Sequence, residues 1–539
     1  MTIQGTSVLQ NSTQEDAAAC QISKNLAEIN FFKKSVGIVT PIGFRRMNSV
    51  CSNPEISLSR GSTSSEATMT TSWSGRLFST SRTLIEKSYI GSVEARPSTL
   101  LAATVTNNIS NQDAIIHGLD LANFHDVKIT DLDLQLTSNS AVLDLRETDG
   151  VGFKRYHHAT FYVSNAKQTA KYFTVCFGFE PIAYKGLETG CKTHASHVVK
   201  NGHIVFEFKS PIVTKSLKNK AENHRIQEMH DFIRQHGDGV KDISFEVEDL
   251  EATFGMALKG GATPVSYPHI ENDSYGSVYL ATVQVFDDLW HTLIEPIDYN
   301  GPFLPTYAPV KDSPYYELVH ATAISSLPPV KFDVIDHCVQ NEGWDKLERS
   351  CDIYQKIFGF HKFWSVDEKD VSTEYSALRS IVMASPNEMI KMPMNEPAKG
   401  ICKSQIEEFL EFYNGPGVQH IALKTDDIIS TVRSMRERGT EFINTPPLYY
   451  DSLLPRLLKT GVPIAEDLNN LKELGILIDF DENGYLLQIF TKPLTDRPTF
   501  FLEIIQRHNH SGFGKGNFKA LFQTIEQEQR LRGTLLKNN

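Results

Sequence analysis

Beyond residue 150 the chain alternates between two hydrophobic periods. Apolar residues recur at every second position in "HHATFYV", "HIVFEFKS", "VKDISFEVED", "SVYLATVQVF" and "WHTLIEPI", a pattern that predicts strands with one face toward a core. "SNAKQTAKYFTVCFGF" instead carries its apolar residues at helical spacing and stops at Gly178, where glycine suits a helix end. A second helix is predicted over "LEATFGMALKGG". The same order then returns. "VIDHCVQN" precedes a helix ending in "YQKIFGF", the counterpart of "VCFGF", and "GVQHIALKTDDI" corresponds to "GVKDISFEVEDL". "QIFTKPLTDRPTFFLEII" matches "QVFDDLWHTLIEPI". The chain therefore reads as an α+β protein built by tandem duplication of a βαβββ-type module.

The pattern divides the chain into five stretches. Residues 151–300 form a first module and 333–507 a second. Residues 301–332 hold Pro302, Pro305, Pro309, Pro314, Pro328 and Pro329 and read as a linker. Residues 508–539 form a C-terminal helix and tail. Residues 1–150 differ from the rest: Ser49 to Ser98 is dense in Ser and Thr and poor in apolar periodicity, which predicts a largely disordered, low-complexity extension. Within the extension, "VKITDLDLQL" (127–136) alternates like a short strand, and "RRMNSV" sets Ser49 behind two arginines. That looks like a basophilic-kinase site, although such a pattern is more often a solvated tail with incidental arginines.

Composition narrows the class. A length of 539 residues implies two or three domains. The formal net charge of −12 argues against a nucleic-acid footprint and against attraction to anionic membranes. No apolar run approaches the roughly 18 residues of a membrane span. Seven scattered cysteines without a CxxC pair suit reduced thiols. The start of the chain is polar and carries Glu15, Asp16 and Glu28, unlike a secretory or mitochondrial leader. A cytoplasmic protein is expected.

Candidate chemistry lies in the second module. Glu503 interrupts the greasy run "FFLEII", and a buried carboxylate needs a partner because losing its hydration costs more than packing returns. His337 and His420 also interrupt strand-like runs. From His337 to His420 is 83 residues, and from His420 to Glu503 another 83, so each sits on its own strand. On period-2 strands His337 shares a face with Val339, His420 with Val418 and Ala422, and Glu503 with Phe501 and Ile505. Three such residues on one face of a sheet would form a two-histidine, one-carboxylate facial triad, a set whose usual occupant is non-haem Fe(II). Taken singly, each is equally a satisfied core histidine or a snorkelling edge glutamate. The repeat places His158, Asp242 and Glu295 at the corresponding positions of the first module, so that half is expected to be structural and to carry oligomer contacts.

Longer motifs carry a family resemblance. "GVQHIALKT", "GYLLQIFTKP", "RPTFFLEIIQRHNHSGFGKGNF", "HGDGVKDISFEVED", "SQIEEF" and "MNEP" resemble the 4-hydroxyphenylpyruvate dioxygenase family of the vicinal-oxygen-chelate fold group. The resemblance spans about residues 153 to 533 and has no counterpart for residues 1–150. It implies two tandem vicinal-oxygen-chelate domains of βαβββ repeats with a C-terminal lid helix. It implies that His337, His420 and Glu503 hold one Fe(II) per subunit, with no organic cofactor. It also implies that Ser380, Asn395, Gln405 and Gln488 finish a substrate pocket. The glutamines and Ser380 would hold the phenol end, with Phe490 and Phe501 sandwiching the ring. Phe513, Asn517 and Phe518 would belong to the segment that closes over the site. The implied reaction is conversion of 4-hydroxyphenylpyruvate and O2 to homogentisate and CO2 in tyrosine breakdown, by a homodimer in eukaryotes. The alternatives are 4-hydroxymandelate synthesis from the same substrate and a non-catalytic scaffold. For the lid, Gly512 to Gly516 read as a flexible hinge and Asn517 as a helix cap. Phe518, Leu521, Phe522 and Ile525 are spaced to form one apolar face.

Overall fold

The computed structural model describes residues 152–215, 220–310, 324, 326–367, 373 and 375–537, all within one compact unit. The expectations for residues 1–150, including the 127–136 strand and Ser49, lie outside the described residues.

The first module contributes β1 (Phe153–Tyr162), β2 (Glu180–Lys185), β3 (His194–Asn201), β4 (Ile204–Pro211), β5 (Gly239–Val247), β6 (Thr263–Asp273), β7 (Gly276–Phe286), β8 (Leu289–Pro296) and β9 (Ala308–Pro309). The second contributes β10 (Ile335–Asn341), β11 (His361–Val366), β12 (Ala377–Ala384), β13 (Lys391–Ala398), β14 (Gly417–Lys424), β15 (Leu477–Phe480), β16 (Tyr485–Phe490) and β17 (Phe501–His508). Hydrogen bonding orders one sheet β6-β7-β8-β5-β1-β4-β3-β2-β9 and the other β11-β12-β13-β10-β14-β17-β16-β15. β1 runs parallel to β4 and antiparallel to β5, and β5 parallel to β8. β10, β13, β14 and β17 repeat that scheme. Each sheet is thus two βαβββ units side by side, so the single module per half read from the sequence resolves into two. In the last unit the helices Pro447–Thr460 and Leu468–Leu474 are inserted before the short β15.

Local sequence explains the equivalent helices. Asn165 Oδ1 accepts from the backbone N–H of Gln168 at 3.1 Å and opens the helix Ala166–Phe177, as an N-cap should. Gly178 closes it at φ 68°, and Gly359 closes the counterpart Leu347–Phe358 at φ 66°. A Cβ at either position would cost roughly 1–2 kcal/mol. Strand alternation then sorts the central sheet residues. Cys338, Ile421, Leu502 and Ile504 are fully buried in a core cluster that runs through both modules. Their chain neighbours His337, His420 and Glu503 face the other way and line a cavity.

Two sequence readings change here. Residues 301–310 are not a free linker: Phe303 and Tyr307 are buried in a cluster with Ala183 and Val198, and β9 adds an edge to β2. The repeat partner of Glu503 is Thr292, not Glu295. Glu503 lies beside Ala422 and His420 beside Phe501 across the β14–β17 ladder. Asp242, the counterpart of His420, lies beside Trp290, which places Thr292 two residues on. Glu295 instead accepts from the Leu250 backbone N–H at 2.9 Å, at the start of the helix Leu250–Lys259, where its charge favours the exposed amides.

Candidate metal centre and substrate pocket

Three adjacent strands deliver the three candidate ligands to one point. His337 Nε2 lies 3.2 Å and His420 Nε2 3.3 Å from the same Glu503 oxygen, Oε2. One ligand atom from each of the three lies within 4.8 Å of the others, and all three residues are at least nine-tenths buried. With metal–ligand bonds of about 2.1 Å, neighbouring corners of an octahedron stand about 3.0 Å apart, close to both histidine–glutamate separations. The donor set therefore fits a divalent metal held on one face, with the cavity side left for other ligands.

Electrostatics point the same way. Burial pushes the Glu503 carboxyl up, but the His337 and His420 imidazoles outweigh it and hold the group down at about 2. Burial alone would lower His337, yet Glu503 and Asp336 raise it above its ordinary value, while burial leaves His420 lowered. The carboxylate that looked out of place in the sequence is thus paired twice. Each outer imidazole nitrogen also has a partner: His337 Nδ1 meets Asp336 Oδ1 at 2.7 Å, and His420 Nδ1 meets Gln419 Oε1 at 3.0 Å. Such contacts aim the inner nitrogens.

A cavity of about 610 Å³ opens in front of this cluster. Of the twelve site residues expected from the sequence, eleven line it: the three candidate ligands with Ser380, Asn395, Gln405, Gln488, Phe490, Phe501, Phe513 and Phe518. Among the described residues, Ser380, Gln405 and Gln488 make no side-chain hydrogen bond to protein, and Ser380 and Gln488 are 4% and 2% exposed. Buried polar groups left without protein partners at a cavity wall are available to a ligand. Gln405 stands at the first turn of the helix Gln405–Tyr413. Ser404 and Glu407 form a capping box there, which fixes where that helix begins.

Asn517 does not join them. It is fully buried away from the cavity, where its Oδ1 accepts from Tyr449 Oη at 2.7 Å, and it makes no side-chain cap on the helix Phe518–Arg532. The two ring neighbours also differ from a sandwich. Phe490 and Phe501 meet at 78° with centroids 6.1 Å apart, and Phe501 stacks on His420 at 4.8 Å and 20°, packing a ligand ring in place.

Gln419 lines the cavity although strict alternation assigns it to the other face. The β10–β14 register shifts between the pairs Val339–His420 and Gln340–Val418, so Gln419 is an extra, bulged residue. Val418 accordingly packs in the core instead of beside His420. Trp364, Leu378, Val382 and Pro393 also line the cavity and carry no sequence signal beyond being apolar.

The glycine-rich segment serves close packing more than hinging. Gly514 sits at φ 79°, and a Cβ there would fall 2.5 Å from the Gln488 side-chain amide. A Cβ on Gly516 would meet Asp479 Oδ1 at 2.2 Å. Gly514→Ala is therefore expected to displace Gln488, raise KM several-fold and leave metal affinity unchanged. Steady-state kinetics beside metal titration tests this, and an unaltered KM would refute it.

The first module's equivalent site is filled by its own side chains. Asp242 accepts from Ser244 Oγ at 2.8 Å, Thr292 Oγ1 at 2.5 Å and the Thr292 backbone N–H at 3.2 Å. His158 packs edge-on against Phe303 with centroids 4.8 Å apart, and burial lowers it to about 4.

The two curled βαβββ pairs and the His–His–Glu cluster define a member of the Glyoxalase/Bleomycin resistance protein/Dioxygenase superfamily, whose family model matches residues 334–489. The chain is 52% identical over 387 residues to the 4-hydroxyphenylpyruvate dioxygenase of Coccidioides posadasii, covering 71% of this chain and 95% of that protein. It is also 52% identical over 390 residues to that of Aspergillus fumigatus, covering 71% and 94%. The chain belongs to the 4-hydroxyphenylpyruvate dioxygenase family. Among solved structures, a triple mutant of 4-hydroxymandelate synthase from Streptomyces coelicolor superposes with a TM-score of 0.58 at 28% identity, covering 70% of this chain and 99% of that one.

Proposed function

We propose that the protein is an Fe(II)-dependent dioxygenase that converts 4-hydroxyphenylpyruvate and O2 to homogentisate and CO2, a step of tyrosine catabolism. The convergence of His337, His420 and Glu503 at the wall of a cavity lined by phenylalanines and unspent amides carries this reading. His337, His420 and Glu503 would hold the iron. When bound, Fe(II) supplies a chelation site for the 2-oxo acid and for O2, and the redox change that couples decarboxylation to ring hydroxylation. The balance closes without another reductant: CO2 leaves, one oxygen atom enters the new carboxylate and the other the ring.

The side chains do the remaining work. Ser380, Gln405, Gln419 and Gln488 hydrogen-bond the phenol end, and Asn395 completes the polar wall. Asn395 is itself steadied by donating to Asn341 Oδ1 at 3.3 Å. Phe490 and Phe501 fix the ring from two directions, which restricts it to one approach toward the ligand cluster. Phe513, Phe518, Leu521 and Phe522 close the cavity and exclude water.

The likeness to 4-hydroxymandelate synthase favours a second reading in which the same substrate is hydroxylated at the benzylic carbon. The 52% identity to named 4-hydroxyphenylpyruvate dioxygenases supports the first. Oxygen uptake with 4-hydroxyphenylpyruvate after anaerobic Fe(II) loading, followed by chromatography of the product, decides between them. Hydroxymandelate as product would overturn the assignment, and absence of turnover would favour a scaffold.

We place the enzyme in the cytoplasm as a homodimer. Among the described residues, Cys176, Cys191, Cys338 and Cys351 form no disulfide, which suits a reducing compartment, and no helix among the described residues is long and apolar enough to cross a membrane. Light scattering at twice the chain mass checks the dimer. Residues 1–150 carry none of the proposed ligands. Deleting them is expected to change turnover per active site less than about twofold, since the proposed ligands and the cavity lining all lie beyond residue 150. A large fall in kcat with iron still bound would show that they shape the pocket.

A further inference from the structure

Arg507 lies four residues beyond Glu503 on β17 and reaches across to Asp336, the neighbour of His337 on β10. Its guanidinium grips the carboxylate with two bonds. Nε donates to Asp336 Oδ2 at 2.8 Å and Nη2 to Oδ1 at 2.8 Å. Oδ1 is the same oxygen that faces His337 Nδ1 at 2.7 Å. The other edge of the guanidinium turns to the chain that leads out of the sheet: Nη1 donates to the His510 carbonyl at 3.1 Å and to the Gly512 carbonyl at 2.6 Å. The guanidinium also lies 5.3 Å over the Phe513 ring, and that ring meets His337 edge-on at 5.1 Å. The Arg507 and Asp336 side chains are only 15% and 10% exposed.

A rigid fork with five donors can hold a carboxylate in one orientation and still serve two carbonyls, which an ammonium on a flexible stem cannot do. With Asp336 so fixed, His337 keeps its proton on Nδ1 and presents the Nε2 lone pair toward Glu503 and His420. His420 has only the neutral Gln419 amide behind it. Of the two imidazoles, His337 is therefore the one wired by charge to another part of the chain.

We infer that Asp336 and Arg507 are positioning residues that couple the metal centre to closure of the C-terminal helix. Arg507 holds Asp336 on His337 with one edge and the backbone entering Phe518–Arg532 with the other. A metal that locks the His337 ring thereby steadies the lid, and a seated lid steadies the ring. The inference rests on the metal-site reading above.

The test uses Co(II) as a spectroscopic substitute in the full chain, with amide hydrogen exchange followed over residues 513–532. In the unaltered protein Co(II) loading should slow exchange in that helix. Asp336→Asn and Arg507→Lys should each shift the Co(II) ligand-field bands, weaken Co(II) binding by roughly 10- to 100-fold and abolish the metal-dependent slowing. Arg507→Lys alone should also speed exchange before metal is added, because it alone loses the two carbonyl contacts. A plain structural ion pair would lower the melting temperature and leave the bands and the metal dependence as they were; that outcome overturns the inference. Asp336→Asn, nearly the same shape, decides the matter should Arg507→Lys fail to fold. If the unaltered protein takes up no Co(II), it is the metal-site reading that fails.

Discussion

Glu503→Gln is expected to strip the protein of metal and reduce turnover below about 1% of the unaltered enzyme, since even outer partners of metal ligands are worth 10–100-fold. The carboxylate oxygen Oε2 is the point on which both imidazoles converge. A neutral amide is a poor ligand for a hard dication, and the exchange alters the charge of the site by one unit at a location 3% exposed. Size is conserved, so the surrounding core should survive. Leu502 and Ile504, on either side of Glu503, point into the core and do not depend on the carboxylate. His337→Ala and His420→Ala should behave alike. Iron content after anaerobic reconstitution, measured beside a thermal melt, separates ligand loss from unfolding. Near-normal iron and activity in Glu503→Gln would mean that another carboxylate serves the metal.

The sequence made most of this site readable because its chemistry interrupts regular patterns. A glutamate within "FFLEII" and histidines within strand runs stand out against period 2, and equal spacing assigns each to a separate strand. The family resemblance supplied what periodicity has no means of showing: Ser380, Asn395, Gln405 and Gln488 look like surface residues until the sheet brings them to one wall. Two of the misreadings arise because local rules cannot count residues across a ladder, and two because tertiary packing overrides a local signal. A one-residue bulge at Gln419 turns that side chain into the cavity and Val418 out of it. The likeness of "LEII" to "LIEPI" points to Glu295, whereas backbone pairing selects Thr292. Asn517 is placed like a helix cap, but tertiary packing claims its side chain for Tyr449. Prolines at 302, 305 and 309 suggested a linker, whereas Phe303 and Tyr307 bury against the first sheet.

Removing the helix Phe518–Arg532 is expected to abolish productive turnover while metal binding stays within about tenfold of normal. Phe522 is 2% exposed and packs with Val366, Leu378 and Ile406, with Phe518 against the same cluster. Phe518, Leu521 and Phe522 all line the cavity holding the candidate ligands. The helix is also clamped from outside the pocket. Arg532 Nη2 donates to Glu408 Oε2 at 2.8 Å, and Ser376 Oγ to Glu526 Oε1 at 2.7 Å. None of the three candidate ligands belongs to the helix, so losing it should open the cavity without dismantling the centre. Because Arg507 uses the carbonyls of His510 and Gly512 and Phe513 packs on His337, the informative cut falls after Asn517, which preserves all of these contacts. In such a chain water would enter the cavity, and oxidation would no longer be confined to the bound ring. Oxygen consumption should then exceed homogentisate formed, where the intact enzyme gives one for one. Exposing the Val366–Leu378–Ile406 cluster lowers stability by several kcal/mol, since each large apolar side chain left unburied costs about 1.5–3 kcal/mol. Phe518→Ala in the full chain is therefore the companion variant: substrate retention falls, the iron stays, and coupling of oxygen to product drops. A truncated chain that folds but cannot keep its iron, or a Phe518→Ala enzyme with unaltered coupling, would show that the helix supports the sheet and does not seal the pocket.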